Sequence, residues 1–327
     1  MEEEFEDIRP YRDHEVSAVL ESLLNNDEFF EAIARFQAPR LKKVLPKLAK
    51  KKVEKALKKH LKGINSISEF QLVIAKYMQK IIDDTIDSLH ETDLVEIPQE
   101  TPHLFISNHR DIVMDPALVS YLLRLSVHGT MEIAIGDNLL KKEYISDLMR
   151  LNKSFIVKRS MQGREKLEAL KTLSKYIHYS IENGNNAWIA QREGRAKDGY
   201  DRTDPALLKM LLLAYRDEES PISALLAQAQ IVPVSVSYEV DPCGTKKAEE
   251  LVAIARDGEY QKAEHEDLQS MILGLMGYKG RVHLSFARPI DNVGDVEQLT
   301  ERLDKDIVSN YRTFPTHRYA AKTLAGS

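Results

Sequence analysis

The 327-residue sequence has very little cysteine and no long apolar run, and each absence excludes a class of protein. Cys243 is its one cysteine, so the chain cannot form an internal disulfide, which fits a reducing compartment. A membrane-spanning helix needs about 18 consecutive apolar residues, and the most apolar stretch, ALLKMLLLAY (206–215), is shorter and predicts a buried helix. The acidic N-terminus MEEEFEDIRPYRD lacks an apolar core, so we do not expect a secretory signal.

Several catalytic motifs are also missing from the sequence. It has no nucleophile elbow of the G-x-S-x-G form, no P-loop and no G-x-G-x-x-G turn. Its ten histidines are scattered, without an HExxH pair or the Cys/His spacing of a zinc site. A hydrolase with a nucleophile elbow, an NTPase, a dinucleotide-binding enzyme and a zinc protein are therefore all poorly supported.

The composition is that of an ordinary globular protein, apart from one strongly basic stretch. Apolar residues make up 43% of the chain and charged residues 30%, as in typical soluble domains. Residues 40–62, RLKKVLPKLAKKKVEKALKKHLK, hold 11 Lys/Arg and one acid, a net charge of +10, whereas the whole chain carries −5. A basic segment on an acidic chain favours a localised anionic partner over general nucleic-acid binding.

The spacing of apolar residues changes character near residue 91. Residues 14–90 show helical spacing almost throughout, which predicts a helical N-terminal subdomain over 1–91. From residue 92, strand-like and helix-like segments alternate, which predicts an α/β domain over 92–327 with a mixed, largely parallel sheet flanked by helices. The predicted strands are 94–97, 103–107, 131–136, 154–158, 187–191, 231–238 and 282–287, and the predicted helices between them are 116–126, 138–151, 163–182, 205–215 and 295–311.

One short segment concentrates ionisable side chains where a strand should give way to a helix. ISNHRDIVMDPALV (106–119) places His109, Asp111 and Asp115 at that junction, and function in open α/β sheets gathers at the carboxyl ends of strands. A carboxylate can fix the tautomer of His109 while the other ring nitrogen removes a proton from a hydroxyl. Arginine and lysine at other strand ends would hold an acceptor that carries phosphate.

The same residues also allow purely structural interpretations. Asp115 followed by Pro116 predicts a helix start, with the aspartate as the cap and proline at the first helical position. That role is compatible with a catalytic one. His109 could be a structural histidine, and Glu193 could simply pair with Arg192 or Arg195.

Five segments in order resemble the motif blocks of the glycerolipid acyltransferases that carry an H-x4-D box. SNHRDIVMDPALV resembles the Asn-His…Asp-Pro-Ala block, and the later blocks are matched by IGDNLLKK, FIVKRSM, AWIAQREGRAKDGYDRTDP and IVPVSVS. The resemblance runs through about residues 92–290 and is closest to the soluble plastid-type glycerol-3-phosphate acyltransferases, which also have a helical N-terminal subdomain. Each block alone is a weak signal, whereas five in order are specific.

The sequence departs from the family pattern in one respect. The family separates its histidine and aspartate by four residues, whereas five separate His109 from Asp115. Because Asp115-Pro116-Ala117 matches the family's Asp-Pro-Ala, we assign Asp115 as the partner of His109 and interpret the extra residue as a bulge. Asp111, two residues from His109, is the rival assignment.

The resemblance implies an acyltransferase that moves a fatty acyl group from acyl-CoA or acyl-carrier protein to a hydroxyl of a glycerophosphate in phospholipid synthesis. His109 would be the general base and Asp115 would orient it, and no metal or redox cofactor is implied. Glycerol 3-phosphate and 1-acyl-glycerol 3-phosphate (lysophosphatidate) are both open as acceptors. The substrate-binding residues implied by the matched blocks are Lys158, Arg159, Glu193, Gly194, Arg195 and Lys197.

Alternatives remain open for the acceptor, for catalysis and for the basic segment 40–62. Another lipid or an amine could be the acceptor, the chain could be a non-catalytic lipid- or carrier-binding module, or it could hydrolyse the thioester. The basic segment could be a solvated helical face, a contact for anionic lipid headgroups or a docking site for acidic acyl-carrier protein. We expect a cytoplasmic protein, peripheral at the inner face of the membrane, without a nucleic-acid partner.

Overall fold

The computed structural model describes residues 2–37, 45–126, 128–263 and 266–326. The chain divides into two compact units. The first comprises Met1–Lys80 with Ile135–Ser160, and the second comprises Ile81–Ala134 with Met161–Ser327. In the described part of the chain, no helix is both long enough and apolar enough to cross a membrane.

Helices come first along the chain, and strands alternate with helices after residue 85. The strands are β1 (Ile86–Thr92), β2 (Leu104–Ser107), β3 (Met131–Gly136), β4 (Ser154–Val157), β5 (Asn186–Ala190), β6 (Val232–Tyr238) and β7 (Gly280–Phe286). The helices are α1 (Asp13–Leu24), α2 (Asp27–Gln37), α3 (Pro46–Leu61), α4 (Ile67–Thr85), α5 (Met114–Leu125), α6 (Glu143–Leu151), α7 (Gly163–Glu182), α8 (Pro205–Leu211), α9 (Pro221–Ala229), α10 (Gly244–Asp257), α11 (Glu266–Met276), α12 (Val296–Ser309) and α13 (Pro315–Ala325). Short 3-10 helices cover Glu2–Phe5, Leu94–Glu96, Asp137–Leu139 and Leu212–Tyr215.

Apolar side chains at helical spacing hold the first unit together. Pro46 is the first residue of α3, where the missing N–H costs no helical hydrogen bond. The buried residues of α3 recur every four positions: Ala49, Val53, Leu57 and Leu61. They join an apolar core with side chains of α1, α2 and α6, among them Val16, Leu20, Phe29, Phe30 and Leu151. Residues 40–44 of the basic segment lie outside the described residues.

A mixed, mostly parallel sheet forms the centre of the second unit. Six of the seven strands belong to it, in the spatial order β1-β7-β6-β2-β5-β3, and β4 belongs to the first unit. β6 and β7 pair antiparallel, whereas β1 with β7, β6 with β2, β2 with β5, and β5 with β3 are parallel. α7 packs against β5 and α12 against β6. The predicted α/β class, with a largely parallel sheet flanked by helices and with N-terminal helices, is confirmed.

The central strands of this sheet are buried because helices cover them. β2 and β6 are buried along their whole length and β5 along nearly all of it, the pattern expected of parallel strands that face helices on both sides. Their carboxyl ends therefore lie at one edge of a rigid sheet, which is where a site can be held in fixed geometry.

Two short elements differ from their predictions. Residues 14–90 are predicted to be helical, but Ile86–Thr92 forms β1, a mostly exposed strand at the edge of the sheet. LVEI (94–97) is predicted to be a strand, but Leu94–Glu96 forms a 3-10 turn. Both stretches mix polar and apolar residues without a clear period, so pairing with β7 decides the structure of the first of them.

Candidate active site

The polar segment after β2 is anchored to the neighbouring strand by an asparagine. β2 ends at Ser107, and Asn108 follows it directly. The Val236 N–H donates to Asn108 Oδ1 at 2.7 Å, and Asn108 Nδ2 donates to the Val236 carbonyl at 3.0 Å. The amide side chain thus pairs with backbone groups of β6 where β2 has already ended. His109 is held immediately beyond this anchor.

His109 and Asp115 form the central pair of the site. His109 Nδ1 lies 2.9 Å from Asp115 Oδ2, so the carboxylate favours the tautomer with its proton on Nδ1 and leaves the Nε2 lone pair open. Nε2 makes no hydrogen bond with the residues that the structure describes, and the His109 side chain is 14% exposed. The Trp188 ring packs edge-to-face on the His109 ring, with 5.9 Å between the ring centroids. This geometry suits a general base that takes a proton on Nε2.

Asp115 is fully buried, and both of its carboxylate oxygens are hydrogen-bonded. Besides the His109 ring, the N–H groups of Arg110 and Asp111 donate to Oδ2 at 2.5 and 2.8 Å. The Tyr238 hydroxyl donates to Oδ1 at 2.8 Å. A buried carboxylate needs such donors to remain charged, and this set also fixes its orientation toward His109.

The start of α5 corrects the prediction that Asp115 caps a helix beginning at Pro116. The helix begins at Met114, and Val113 is its N-cap residue. Asp111 supplies the capping hydrogen bonds, because its Oδ1 accepts from the N–H groups of Val113 at 2.9 Å and Met114 at 2.8 Å. Asp115 lies in the first turn, where the positive end of the helix dipole favours a carboxylate.

Asp111 serves the helix start rather than His109. It packs against Gly274 of α11 so closely that a Cβ on Gly274 would lie 2.0 Å from Asp111 Oδ2. Within the described residues, Oδ2 has no hydrogen-bond partner. Burial, reinforced by the Asp115 carboxylate, raises the pKa of Asp111. A carboxyl group in these surroundings is a poor counter-charge for a protonated His109.

Arg110 ties the histidine segment to the loop that follows β5. Its guanidinium pairs with the buried Asp201 and lies over the Tyr311 ring, 5.1 Å from the ring centroid. Asn108 Nδ2 donates to the same Asp201 carboxylate at 3.3 Å, and Lys247 Nζ donates to the Arg110 carbonyl at 2.7 Å. Arg110 is therefore engaged within the protein, and it holds the loop rather than offering a free cation.

The segment 193–197, in the loop after β5, contacts the histidine segment through its backbone. The Ala196 N–H donates to the His109 carbonyl at 2.9 Å. Gly194 has a φ of +76°, a conformation that glycine adopts at little cost. Glu193, beside it, is exposed on the same loop. The predicted block 193–197 therefore lies against the His109 segment.

The two cations of this block differ in their surroundings. The Arg195 guanidinium has no hydrogen bond or ion pair with the described residues, and its charge lies close enough to Asp111 to oppose the rise in that pKa. Lys197 forms an ion pair with Glu250 of α10. Arg195 is thus open to an anionic ligand, whereas Lys197 is already neutralised.

Lys158 and Arg159 follow β4 and belong to the first unit. Lys158 Nζ lies 3.3 Å from Asp7 Oδ2. Arg159 lies over Gly136, where a Cβ would come within 2.9 Å of the guanidinium Nε. Asp137 accepts from the Arg159 N–H at 3.2 Å and from the next residue's hydroxyl at 2.7 Å. The Gly136-Asp137 pair therefore shapes the turn that carries these two cations.

Two residues of the site are not identified from the sequence alone. Asp201 lies in a stretch with several aspartates and has no motif around it, and Tyr238 ends an apolar strand like any core residue. The only available signal was position, since a hydroxyl at the carboxyl end of a predicted strand lies where sites form. The described residues contain no group of three or more His, Cys, Asp or Glu side chains that could hold a metal ion.

Comparison with known proteins gives one family match. Residues 88–237 match the family model described as Acyltransferase. This region resembles an acyltransferase domain. The matched region contains β2, the His109–Asp115 pair, the predicted binding residues at 158–159 and 193–197, and most of β6. No curated protein sequence matches the chain.

Two solved structures resemble the chain weakly. The 1-acyl-sn-glycerophosphate (LPA) acyltransferase PlsC from Thermotoga maritima is 12% identical, with 88% of this chain and 98% of that chain covered at a TM-score of 0.44. Chloroplast FtsY from Physcomitrella patens is 16% identical, with 92% and 96% covered at a TM-score of 0.27. Both TM-scores lie below 0.5, so neither likeness supports a conclusion about this chain.

Proposed function

We propose that this protein is a glycerolipid O-acyltransferase of phospholipid synthesis that transfers a fatty acyl group from an acyl thioester to a glycerophosphate hydroxyl. The observation that carries the proposal is the His109–Asp115 pair within the region that matches the Acyltransferase family model. Its Nδ1 faces a buried carboxylate at 2.9 Å while Nε2 is open, which is the arrangement that general-base activation of a hydroxyl requires.

The proposed reaction needs no covalent intermediate on the protein. His109 Nε2 accepts the proton of the acceptor hydroxyl, and the oxygen attacks the thioester carbonyl carbon. The tetrahedral intermediate collapses with cleavage of the carbon–sulfur bond, and the departing thiolate takes the proton back from His109. Asp115 stabilises the imidazolium between these two steps, so the products are an ester and a free thiol.

The acceptor's phosphate is proposed to bind cationic side chains of the loop after β5. Arg195 is the strongest candidate because its guanidinium is open and its planar donors suit a phosphate. Lys197 can join only by leaving Glu250, and the substrate-binding role of Lys158 and Arg159, which belong to the first unit, stays a prediction. Glu193 and Gly194 would contact the glycerol part of the acceptor. Glycerol 3-phosphate and lysophosphatidate fit this chemistry equally.

The basic face of α3 supports an anionic partner, which we propose to be the headgroups of an anionic membrane surface. Lys51, Lys52 and Lys55 are exposed and form no hydrogen bond or ion pair with the described residues. Lys50, by contrast, pairs with Asp27 at 2.7 Å. A peripheral position at the inner face of the membrane would bring the enzyme to its lipid product, and acidic acyl-carrier protein is the competing partner for the same face.

Reversing Lys51, Lys52 and Lys55 tests this contact. We expect Lys51→Glu/Lys52→Glu/Lys55→Glu to weaken binding to vesicles that contain phosphatidylglycerol by about tenfold or more, since each juxtamembrane lysine adds roughly 1 kcal/mol. Binding is measured by vesicle sedimentation at low and high salt. The control variant reverses Lys209, Lys305 and Lys322, which are exposed residues of the second unit and change the net charge equally. Equal loss in both variants, or no loss in either, contradicts the proposed contact.

A substrate matrix tests the proposed function itself. Purified protein is given a labelled long-chain acyl-CoA or acyl-carrier protein as donor, with glycerol 3-phosphate or lysophosphatidate as acceptor. We expect a labelled lipid product with one of these acceptors and none without acceptor. Labelled free fatty acid alone would establish thioester hydrolysis instead. Absence of product with every pair would contradict glycerophosphate acylation.

A further inference from the structure

The Tyr238 hydroxyl is the one side-chain group in the described residues, apart from His109, that donates a hydrogen bond to Asp115. It donates to Oδ1 at 2.8 Å, on the opposite carboxylate oxygen from His109. The other two donors to Asp115 are backbone N–H groups on Oδ2. Oδ1 of a fully buried carboxylate therefore depends on the phenol for its hydrogen bond.

The position of Tyr238 is fixed by the same strand that anchors the histidine segment. Tyr238 is the last residue of β6, and Val236, two positions earlier, exchanges both backbone hydrogen bonds with the Asn108 side chain. β6 therefore holds Asn108, which precedes His109 in the chain, and also Asp115, which pairs with the His109 ring.

The surroundings keep the phenol in its donor form. Tyr238 is 5% exposed. Burial, with the adjacent Asp115 carboxylate, raises the pKa of Tyr238 well above its ordinary value. A phenol that keeps its proton can only orient its O–H toward the nearest acceptor, and that acceptor is Asp115 Oδ1.

We infer that Tyr238 is a positioning residue for acyl transfer, because it fixes the Asp115 carboxylate in the orientation that holds the Nδ1 proton of His109. This inference rests on the proposed function. Tyr238 touches neither His109 nor the reacting atoms in this role, and it acts through Asp115. Without its hydroxyl, Oδ1 loses its partner and the carboxylate is free to turn away from the imidazole.

Tyr238→Phe keeps the ring and removes only the hydroxyl, so it isolates the hydrogen bond. We expect kcat to fall by roughly 10- to 100-fold, the size of one hydrogen bond to a charged group, with KM for donor and acceptor within about twofold of wild type. Tyr215→Phe is the matched control, since Tyr215 is equally buried in the same unit and packs on the His178 ring rather than on Asp115. A loss below twofold in the Tyr238 variant overturns the inference.

A double-mutant cycle separates positioning from a general loss of stability. If Tyr238 acts through Asp115, adding Tyr238→Phe to the Asp115→Asn variant should lower its remaining kcat by no more than about twofold. Multiplicative losses in the double variant would show independent effects and overturn the inference.

Proton NMR tests the same link without turnover. A histidine N–H that donates to a buried carboxylate gives a resonance far downfield of the amides, assigned here by its loss in His109→Ala. We expect this resonance in wild type and Tyr215→Phe and its shift or loss in Tyr238→Phe. An unchanged resonance overturns the inference. If no acyl transfer is found even in wild type, the proposed function fails, while this signal still decides the role of Tyr238.

Discussion

Two aspartates four positions apart have different functions at the site. Asp115 contacts His109 and is held by donors on both oxygens, whereas Asp111 caps α5 and carries a raised pKa in a buried setting. Asp115→Asn should therefore reduce acyl transfer by about 100-fold or more, since the analogous tautomer error in a catalytic triad is severe. Asp111→Asn keeps an acceptor for the helix start and should reduce transfer by less than about tenfold.

The two asparagine variants are compared by initial rates at saturating substrate, with thermal unfolding as the check on folding. Losses of equal size would mean that the distinction between the two carboxylates is wrong. A larger loss in Asp111→Asn would transfer the orienting role to Asp111.

Lys279 is a buried cation whose effect on stability depends on pH. It is fully buried, and its ammonium donates to the Gly277 carbonyl at 2.8 Å and to Thr85 Oγ1 at 3.1 Å. Burial lowers the pKa of Lys279 from its usual 10.5 to about 8. Between these values the unfolded chain binds a proton that the folded chain does not, so stability is lost as pH falls from about 10.5 to about 8.

We expect the free energy of unfolding of wild type, relative to Lys279→Met, to rise by up to about 3 kcal/mol between pH 8 and pH 10.5. Urea unfolding at several pH values measures this difference. Lys305→Met, at an exposed position, should give no such change. Parallel pH curves for wild type and Lys279→Met would contradict the lowered pKa.

The sequence identifies site residues where a local motif surrounds them and misses those that the fold brings in. Asp115 is assigned as the partner of His109 from Asp-Pro-Ala alone, and the two side chains are in contact. Tyr238 lies 123 positions from Asp115 along the chain, and an apolar strand gives no local reason to single it out. The catalytic roles of His109 and Asp115 stay predictions.

At the scale of elements, α11 packs on the histidine segment through a glycine. A Cβ at Gly274 would lie 2.0 Å from Asp111 Oδ2, whereas a Cβ at Gly244 of α10 would meet nothing closer than 3.8 Å. Gly274→Ala should therefore destabilise the protein by about 1–3 kcal/mol, as overpacking does, and should lower acyl transfer by disturbing the turn that Asp111 caps.

Gly244→Ala is the matched control for this change and should leave the free energy of unfolding within about 1 kcal/mol of wild type. Chemical unfolding and initial rates are measured for both variants. A Gly274→Ala protein as stable and active as the control would show that the contact between α11 and Asp111 is not restrictive.

Buried elements are predicted well from the sequence, and marginal ones are not. The strands predicted at 103–107, 131–136 and 231–238 coincide closely with β2, β3 and β6, because short segments rich in Ile, Val and Phe between turn residues favour strands. β1 is missed because IDSLHET has little apolar content and becomes a strand only by pairing with β7. The cap of α5 is supplied by Asp111 rather than Asp115, because Asp115 lies in the first turn and its carboxylate binds His109 and Tyr238.

At the scale of the whole molecule, the chain contains a region that matches the Acyltransferase family model and a helical unit with a basic face. The family match covers 88–237, and α3 with its open lysines lies outside that range. In the proposed function, the chemistry and the attraction to an anionic surface therefore belong to different segments. The boundary between 1–91 and 92–327 stays a prediction, because the first compact unit also takes in Ile135–Ser160.

The measurement that tests the central claim most directly is acyl transfer by His109→Ala beside wild type, with the donor and acceptor that give product. Loss of a general base should lower kcat by about 100-fold or more, while KM and the unfolding midpoint stay close to wild type. Near-normal turnover in the folded variant would contradict the account, because the proton of the acceptor hydroxyl would then leave by another route.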